Sequence, residues 1–290
     1  MLSLRLREGA APVPEGRAGA TWQHDDGDPR GEAIIGSQEC WLQWHGVGLF
    51  RFRPGVTAVD AWARADVPTA FVRDTFDHEI QPLILQSLGF ETMHGASASG
   101  PDGGVALCGR SGAGKSTLAY ALGRMGWDHL SDDHVILDFS APQPRLRTVP
   151  FKPRLRPLSA RHFGNPEARP IATSGIRTWR PLRAVLIVEQ VDQPGEWCEL
   201  QPIAPTTAFP ELLPHAHAFD PHDAQQTARL ADHYLTLVER VPIYRLRYRP
   251  SFSRLDNTVR AVQKLVRGLA QMPPAQPRVA SAAAQEFERR

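Results

Sequence analysis

A chain of 290 residues with 42% apolar side chains is long enough to bury one large core or two small ones. Its 33 basic and 31 acidic residues leave a formal charge of +2, which excludes a global electrostatic pull toward nucleic acid or a membrane surface. The three cysteines, Cys40, Cys108 and Cys198, are far apart and odd in number, show neither metal-ligand spacing nor a disulfide framework, and read as buried thiols of a reducing cytoplasm.

Residues 1–7 alternate apolar and basic side chains and lack the apolar run of a signal peptide. No stretch approaches the length of a transmembrane helix, so the expectation is a soluble cytoplasmic chain. Residues 8–31, rich in Gly, Pro, Asp and Arg, read as a loop. Over 40–53, Cys40, Leu42 and Trp44 alternate, then Val47, Leu49 and Phe52, with His45-Gly46 between the runs. That pattern predicts a β-hairpin. Over 70–88, Val72, Phe76, Ile80, Leu83 and Ile84 recur at helical spacing, Gly89 stands at a C-terminal cap, and Pro82 predicts a kink or break.

One strand is predicted over 91–97 and a second over 105–108, with a glycine-rich turn between them. A helix follows from Lys115 to Met125, ended by Gly126, and then a strand over 134–139. A stretch rich in proline and arginine spans 142–157. Strands are predicted over 183–188, 197–201 and 244–248, and helices over 223–240 and 253–271. The Pro/Ala-rich tail, 273–290, reads as disordered.

The chemistry concentrates in three places. Gly109, Arg110, Ser111, Gly112, Ala113, Gly114, Lys115 and Ser116 match G-x-x-x-x-G-K-[ST] in full, between an apolar strand and an amphipathic helix. Glycines there let backbone N–H groups turn inward around phosphate oxygens. The helix that follows aims its positive end at the same anion. Lys115 supplies a compact charge to the β- and γ-phosphates, and Ser116 a hydroxyl to Mg²⁺. These residues, with Thr117 beside them, predict binding of ATP and Mg²⁺.

Asp132 and Asp133 precede the strand over 134–139. Transfer of a phosphoryl group to a hydroxyl needs an acceptor for the proton and a ligand for the metal, and two adjacent carboxylates can divide those tasks. Asp138 is a rival, because Val135-Ile136-Leu137-Asp138 also reads as a strand ending on a metal-binding carboxylate. The third place is His94-Gly95, where the glycine permits close backbone approach. Arg145, Arg147, Lys152, Arg154 and Arg156 read either as a cationic rim facing phosphate or an acidic peptide, or as a solvated loop.

His94-Gly95, then the 109–116 motif, then Asp132-Asp133 resembles, in order and spacing, the catalytic core of HPr kinase/phosphorylases. It looks most like the HPr kinase-related kinases of the A type and the serine kinases of peptide-modification clusters. The resemblance covers about residues 90–140, with weaker echoes at 153–156 and 242–246. It implies an α/β fold with a P-loop kinase core of the HPr kinase/phosphoenolpyruvate carboxykinase-like type, a mixed sheet flanked by helices. It further implies Asp132 as general base, Asp133 as metal ligand together with Ser116, and His94 as a phosphate contact; the two aspartates can exchange roles. Thr117 stands where the bifunctional HPr enzymes have glutamate, and their second glycine-rich signature and usual N-terminal domain are not visible. HPr as substrate, phosphorolysis and the hexamer are therefore not carried over.

The expected organisation is a β-rich region over 1–69, a kinase core with C-terminal helices over 70–272, and the tail. The expected activity is ATP-dependent phosphorylation of a serine or other hydroxyl on a peptide or small protein, without nucleic-acid or membrane partners and with homo-oligomerisation open. A nucleotide-gated regulatory ATPase or binding module, or a small-molecule phosphotransferase, stands as the alternative.

Overall fold

The computed structural model describes residues 2–23, 27–148, 151, 153–164, 179–192 and 197–272. The tail over 273–290 lies outside them, as does Lys152. The fold is mixed α/β.

The first sheet holds β1 (Ser3–Leu6), β2 (Arg17–Gln23), β3 (Pro29–Ile35), β4 (Cys40–Trp44), β5 (Gly48–Phe52) and β6 (Ala58–Ala63). Their order is β1-β6-β5-β4-β3-β2, antiparallel throughout except for the parallel pair β1–β6. The hairpin expected over 40–53 is β4–β5. The loop expected over 8–31 is corrected: β2 and the start of β3 lie within it. Apolar alternation fails there because small residues fit a crowded face. An ideal Cβ on Gly31 would lie 2.3 Å from the Trp44 ring, and Trp22 packs on Trp44 at 5.5 Å between centroids.

One face of this sheet carries Leu42, Trp44, Phe50, Phe52, Val59 and Ala61. Against it lies the segment predicted as a kinked helix. It comprises α1 (Thr69–Thr75), a π-helical turn (Phe76–Ile80) and α2 (Gln81–Gln86), and buries Val72, Phe76, Ile80, Leu83 and Ile84. Pro82 lacks a backbone donor. The widened turn just before it absorbs the break, with the Gln81 N–H donating to the Phe76 carbonyl.

The second sheet holds β7 (Glu91–His94), β8 (Ala96–Gly100), β9 (Gly103–Cys108), β10 (Asp128–Ser131), β11 (His134–Asp138), β12 (Arg145–Arg147), β13 (Trp179–Gln190), β14 (Cys198–Ile203) and β15 (Ile243–Tyr248). The path runs β10-β8-β9-β13-β12-β11-β7, and β15 pairs with both β13 and β14. Pairing of β9 with β13 and of β13 with β15 is parallel. The described residues also form the α-helices α3 (Lys115–Arg124), α4 (Pro157–His162), α5 (Pro205–Leu212), α6 (Ala224–Arg240) and α7 (Leu255–Gln271).

Parallel strands buried on both faces read as continuous apolar runs, and successive residues serve opposite cores. Val105, Leu107, Leu186, Val188 and Leu246 pack under Leu118 and Leu122 of α3 and Val259, Val262 and Val266 of α7. Ala106, Cys108, Val185, Ile187 and Ile243 pack under Ala208 and Leu212 of α5 and Tyr234, Leu237 and Val238 of α6. The three cysteines are free and buried, and burial pushes the Cys108 thiol up to about 12 and the Cys40 thiol up to about 11, so both stay protonated. No helix among the described residues is long and apolar enough to cross a membrane.

The single strand expected over 91–97 is two strands, which part at Gly95. An ideal Cβ there would lie 2.3 Å from the Leu107 carbonyl oxygen, so only glycine lets β7 leave the neighbourhood of β9 at this angle. The Gly95 N–H donates to the Asp133 carbonyl at 3.1 Å. Gly95→Ala is therefore expected to cost about 1–3 kcal/mol through displaced backbone. Gly268→Ala, on the exposed side of α7 with nothing within 4 Å of the added carbon, is expected to gain about 0.5–1 kcal/mol. Urea midpoints of the two variants beside the parent check both signs.

Candidate functional site

The 109–116 loop leaves the end of β9 and enters α3. Gly109, Gly112 and Gly114 hold φ of 136°, 81° and 95°, which side chains resist. Space is closed as well. An ideal Cβ on Gly109 would meet the Val188 carbonyl at 2.5 Å, and one on Gly114 the Tyr248 hydroxyl at 2.0 Å. The parallel register that places Cys108 beside Ile187, and Gln190 beside Tyr248, puts these groups against the loop.

Tyr248 donates its hydroxyl to the Ala113 carbonyl at 2.9 Å, and Gln190 donates to the Gly112 carbonyl at 3.2 Å and to the Tyr248 oxygen at 3.2 Å. Neither residue stands out in the sequence. Tyr248 reads as one position of a strand, and only the pairing of β13 with β15 shows that its hydroxyl underpins the loop.

Lys115 is buried, and its ammonium donates to the Gly109 carbonyl at 2.9 Å and the Arg110 carbonyl at 3.2 Å. Burial pulls its pKa below the usual lysine range. Arg110 and Ser111 are exposed at the loop tip, and Ala113 is buried beneath it. Thr117 pairs its hydroxyl with Ser159 of α4 at 2.8 Å, which ties the first turn of α3 to the cavity rim.

The carboxylates arrive from the other side. Antiparallel pairing of β7 with β11 sets His94 opposite His134, immediately after Asp133. Asp132 is buried, accepts from the Arg154 N–H at 3.0 Å and the Asp133 N–H at 3.2 Å, and has Ser116 as a side-chain hydrogen-bond partner. Burial, and then the neighbouring Asp133 charge, push its pKa up to about 6. Asp133 adopts φ 64°, a left-handed conformation that an aspartate tolerates better than a branched side chain, and its side chain faces the cavity.

His94, Lys115, Ser116, Thr117 and Asp133 thus line one cavity of about 670 Å³, together with Arg154 and Arg156. Asp132 lies behind that wall rather than on it. The rival Asp138 does not join them. It sits at the far end of β11, accepts from the Ser140 N–H at 3.0 Å, and pairs with Arg145.

The basic segment divides in the same way. Arg147 lies over the rings of Phe90 at 4.5 Å and Trp179 at 5.2 Å, away from the cavity. Arg154 reaches Asp74 at 3.1 Å, Glu79 at 3.6 Å and Asp133 at 4.0 Å. Arg156 lies over the loop, 3.4 Å from the Ser111 hydroxyl.

A group of histidines lies beneath His94. His217 is 6.3 Å from it and 4.8 Å from His134, ring to ring. Burial holds His134 well below the usual histidine range and His217 at about 4. Burial likewise holds His129 at about 3. No group of three or more metal-ligating side chains is present among the described residues.

Comparison with known proteins adds little. No protein-family model matches the chain, and no curated protein does. Among solved structures, the Hpr(Ser) kinase/phosphatase from Coxiella burnetii aligns over 61% of this chain and 94% of its own, with 13% identity and a TM-score of 0.34. At that score the likeness carries no argument, and the reading rests on this chain's own residues.

The buried histidines set a pH dependence. His129 and His217 titrate below the ordinary 6.5 when folded, so unfolding takes up protons as the pH falls. Their stabilisation is present above pH 6.5 and is lost downward, by about 2 kcal/mol each between pH 7 and pH 5. His129→Phe, which keeps a ring beside Phe151 and Tyr120, should lose about 2 kcal/mol less over that interval. Urea unfolding at the two pH values measures the difference, and an unchanged pH slope would contradict the assignment.

Proposed function

We propose that the chain is an ATP-dependent kinase that transfers the γ-phosphoryl group to a serine or other hydroxyl of a peptide or small protein, in the manner of the HPr kinase-like enzymes. The observation that carries this reading is the convergence of the loop lysine, the Ser116 hydroxyl and Asp133 on one cavity, with Asp132 buried behind its wall as the hydrogen-bond partner of Ser116.

The residues present fit a triphosphate and its Mg²⁺. The loop offers three positions without a Cβ, and a buried ammonium whose hydrogen-bond partners are carbonyl oxygens stands ready to exchange them for an anion. Ser116 and Asp132 form an oxygen donor set of the kind Mg²⁺ takes. Magnesium, when bound, supplies charge neutralisation to the phosphates. Lys115 and the loop amides hold and orient the phosphates, and Arg154 and Arg156, which line the same cavity, add positive charge.

The geometry favours a division of roles opposite to the first expectation. Asp132, buried against Ser116, suits the metal, and Asp133, facing the cavity, suits the hydroxyl proton. His94, which lines the same cavity, is placed to contact phosphate or the incoming hydroxyl. Under this division Asp133→Asn should retain Mg-ATP binding while transfer falls by about 10²–10⁴, the range for a positioned base. Asp132→Asn should show a raised Mg²⁺ requirement. Lys115→Ala should lose most affinity without loss of fold, and Asp138→Asn should transfer normally. Transfer of labelled phosphate from γ-labelled ATP to serine peptides, beside ATP titrations, tests all four. Loss of transfer in Asp138→Asn with Asp133→Asn unimpaired would contradict the reading.

A further inference from the structure

The cavity lining is of two kinds. Lys115, Asp133, Arg154 and Arg156 make up the charged part. Pro157 and Leu158 of α4, with Pro250, Phe252 and Leu255 at the approach to α7, make up the apolar part. Leu158 is 70% exposed and Phe252 38% exposed, so two large apolar side chains are left open to water beside a polyanion cradle. Apolar surface held open beside a charged pocket marks a place where a ligand with an apolar part is to be received.

Phe252 is held from behind. His162 stacks on its ring at 4.3 Å with a 15° tilt, His162 bears on Phe163 at 4.8 Å, and Phe163 packs on Tyr120 of α3 at 4.7 Å. This aromatic row ties the ring to the helix that begins at Lys115, and so fixes it relative to the loop. The polar side chains on this side are already engaged. Ser251 pairs with Ser253 at 2.9 Å, and Gln190 is taken by Tyr248 and the Gly112 carbonyl. Among the described residues, a ligand here meets a largely apolar surface whose polar side chains already have partners.

A planar ring system attached to a triphosphate matches both parts. Resting on the nucleotide reading above, we propose that Phe252 and Leu158 hold the nucleobase by apolar and stacking contact, so that the site accepts adenine and guanine nucleotides alike. Stacking is tolerant of base identity because every base has a π-face. Strong discrimination needs hydrogen bonds to the base edge, which these side chains do not provide.

The test is calorimetric titration of the full chain with Mg-ATP, Mg-GTP and inorganic tripolyphosphate. For the parent, ATP and GTP should differ by less than about 10-fold. Phe252→Ala should weaken both nucleotides by about 10-fold or more and leave tripolyphosphate unchanged, whereas Phe252→Trp should bind the nucleotides as the parent does. Leu158→Ala should act in the same direction, and Lys115→Ala should weaken all three ligands. Circular-dichroism melting establishes that each variant is folded. Parent-like ATP binding by folded Phe252→Ala and Leu158→Ala, or GTP binding about 10³-fold weaker than ATP, would overturn this base contact while leaving the nucleotide site standing. A parent chain that binds neither nucleotide nor tripolyphosphate would overturn both.

Discussion

The hydrogen bond from the Tyr248 hydroxyl to the Ala113 carbonyl, 2.9 Å long, is the contact on which the site depends. It exists because β9, β13 and β15 run parallel and in register, so that the end of one strand lies beside the ends of the other two. The loop that follows β9 then has a floor: the Val188 carbonyl under Gly109, and Tyr248 and Gln190 under Gly112 to Gly114. Without a floor, a segment with three glycines at positive φ would sample many conformations, since glycine gives up most entropy on ordering. With it, the backbone of the loop is held in one shape before any ligand arrives.

The carboxylate pair shows the opposite economy. Asp132 is buried beside a second carboxylate, which raises its pKa to about 6 against an ordinary 3.8. A group raised in the fold contributes stability that is present below pH 3.8 and lost as the pH rises through 6. At neutral pH the charge is therefore kept at a cost to the fold. Strongly perturbed carboxylates cluster at functional sites, where a bound cation would offset the burial. Asp138, at the other end of the same strand, is the contrast: Arg145 and the Ser140 N–H hold it below the usual carboxylate range, as in an ordinary structural pair.

Much of the core was legible because its elements speak through local rules. The apolar run over 105–108, the motif over 109–116 and the helix after it are consecutive, and each limits the next. The hairpin over 40–53 alternates cleanly. Pro82 announced a break, although not that a π-helical turn would take it up. What escaped is what depends on distant partners. Strand β3 uses Gly31 to fit against Trp44, and Gly19 of β2 lies close against Ala33 and Ile35, so their composition imitates a loop. Tyr248, Gln190, Leu158 and Phe252 carry no local signature and gain meaning only from the sheet order and from α4 folding over the loop. Which of two adjacent aspartates faces the cavity is decided by the left-handed turn at Asp133, which the sequence does not announce.

The central claim is that the cavity at the end of β9 receives a nucleoside triphosphate against the 109–116 loop. Hydrogen–deuterium exchange, read by mass spectrometry with and without Mg-ATP, tests it most directly. The account predicts slowed exchange in peptides spanning 109–118 and 153–160, and no change in the hairpin over 40–53. Unchanged exchange across 109–118 at saturating Mg-ATP, or protection confined to the first sheet, would contradict it.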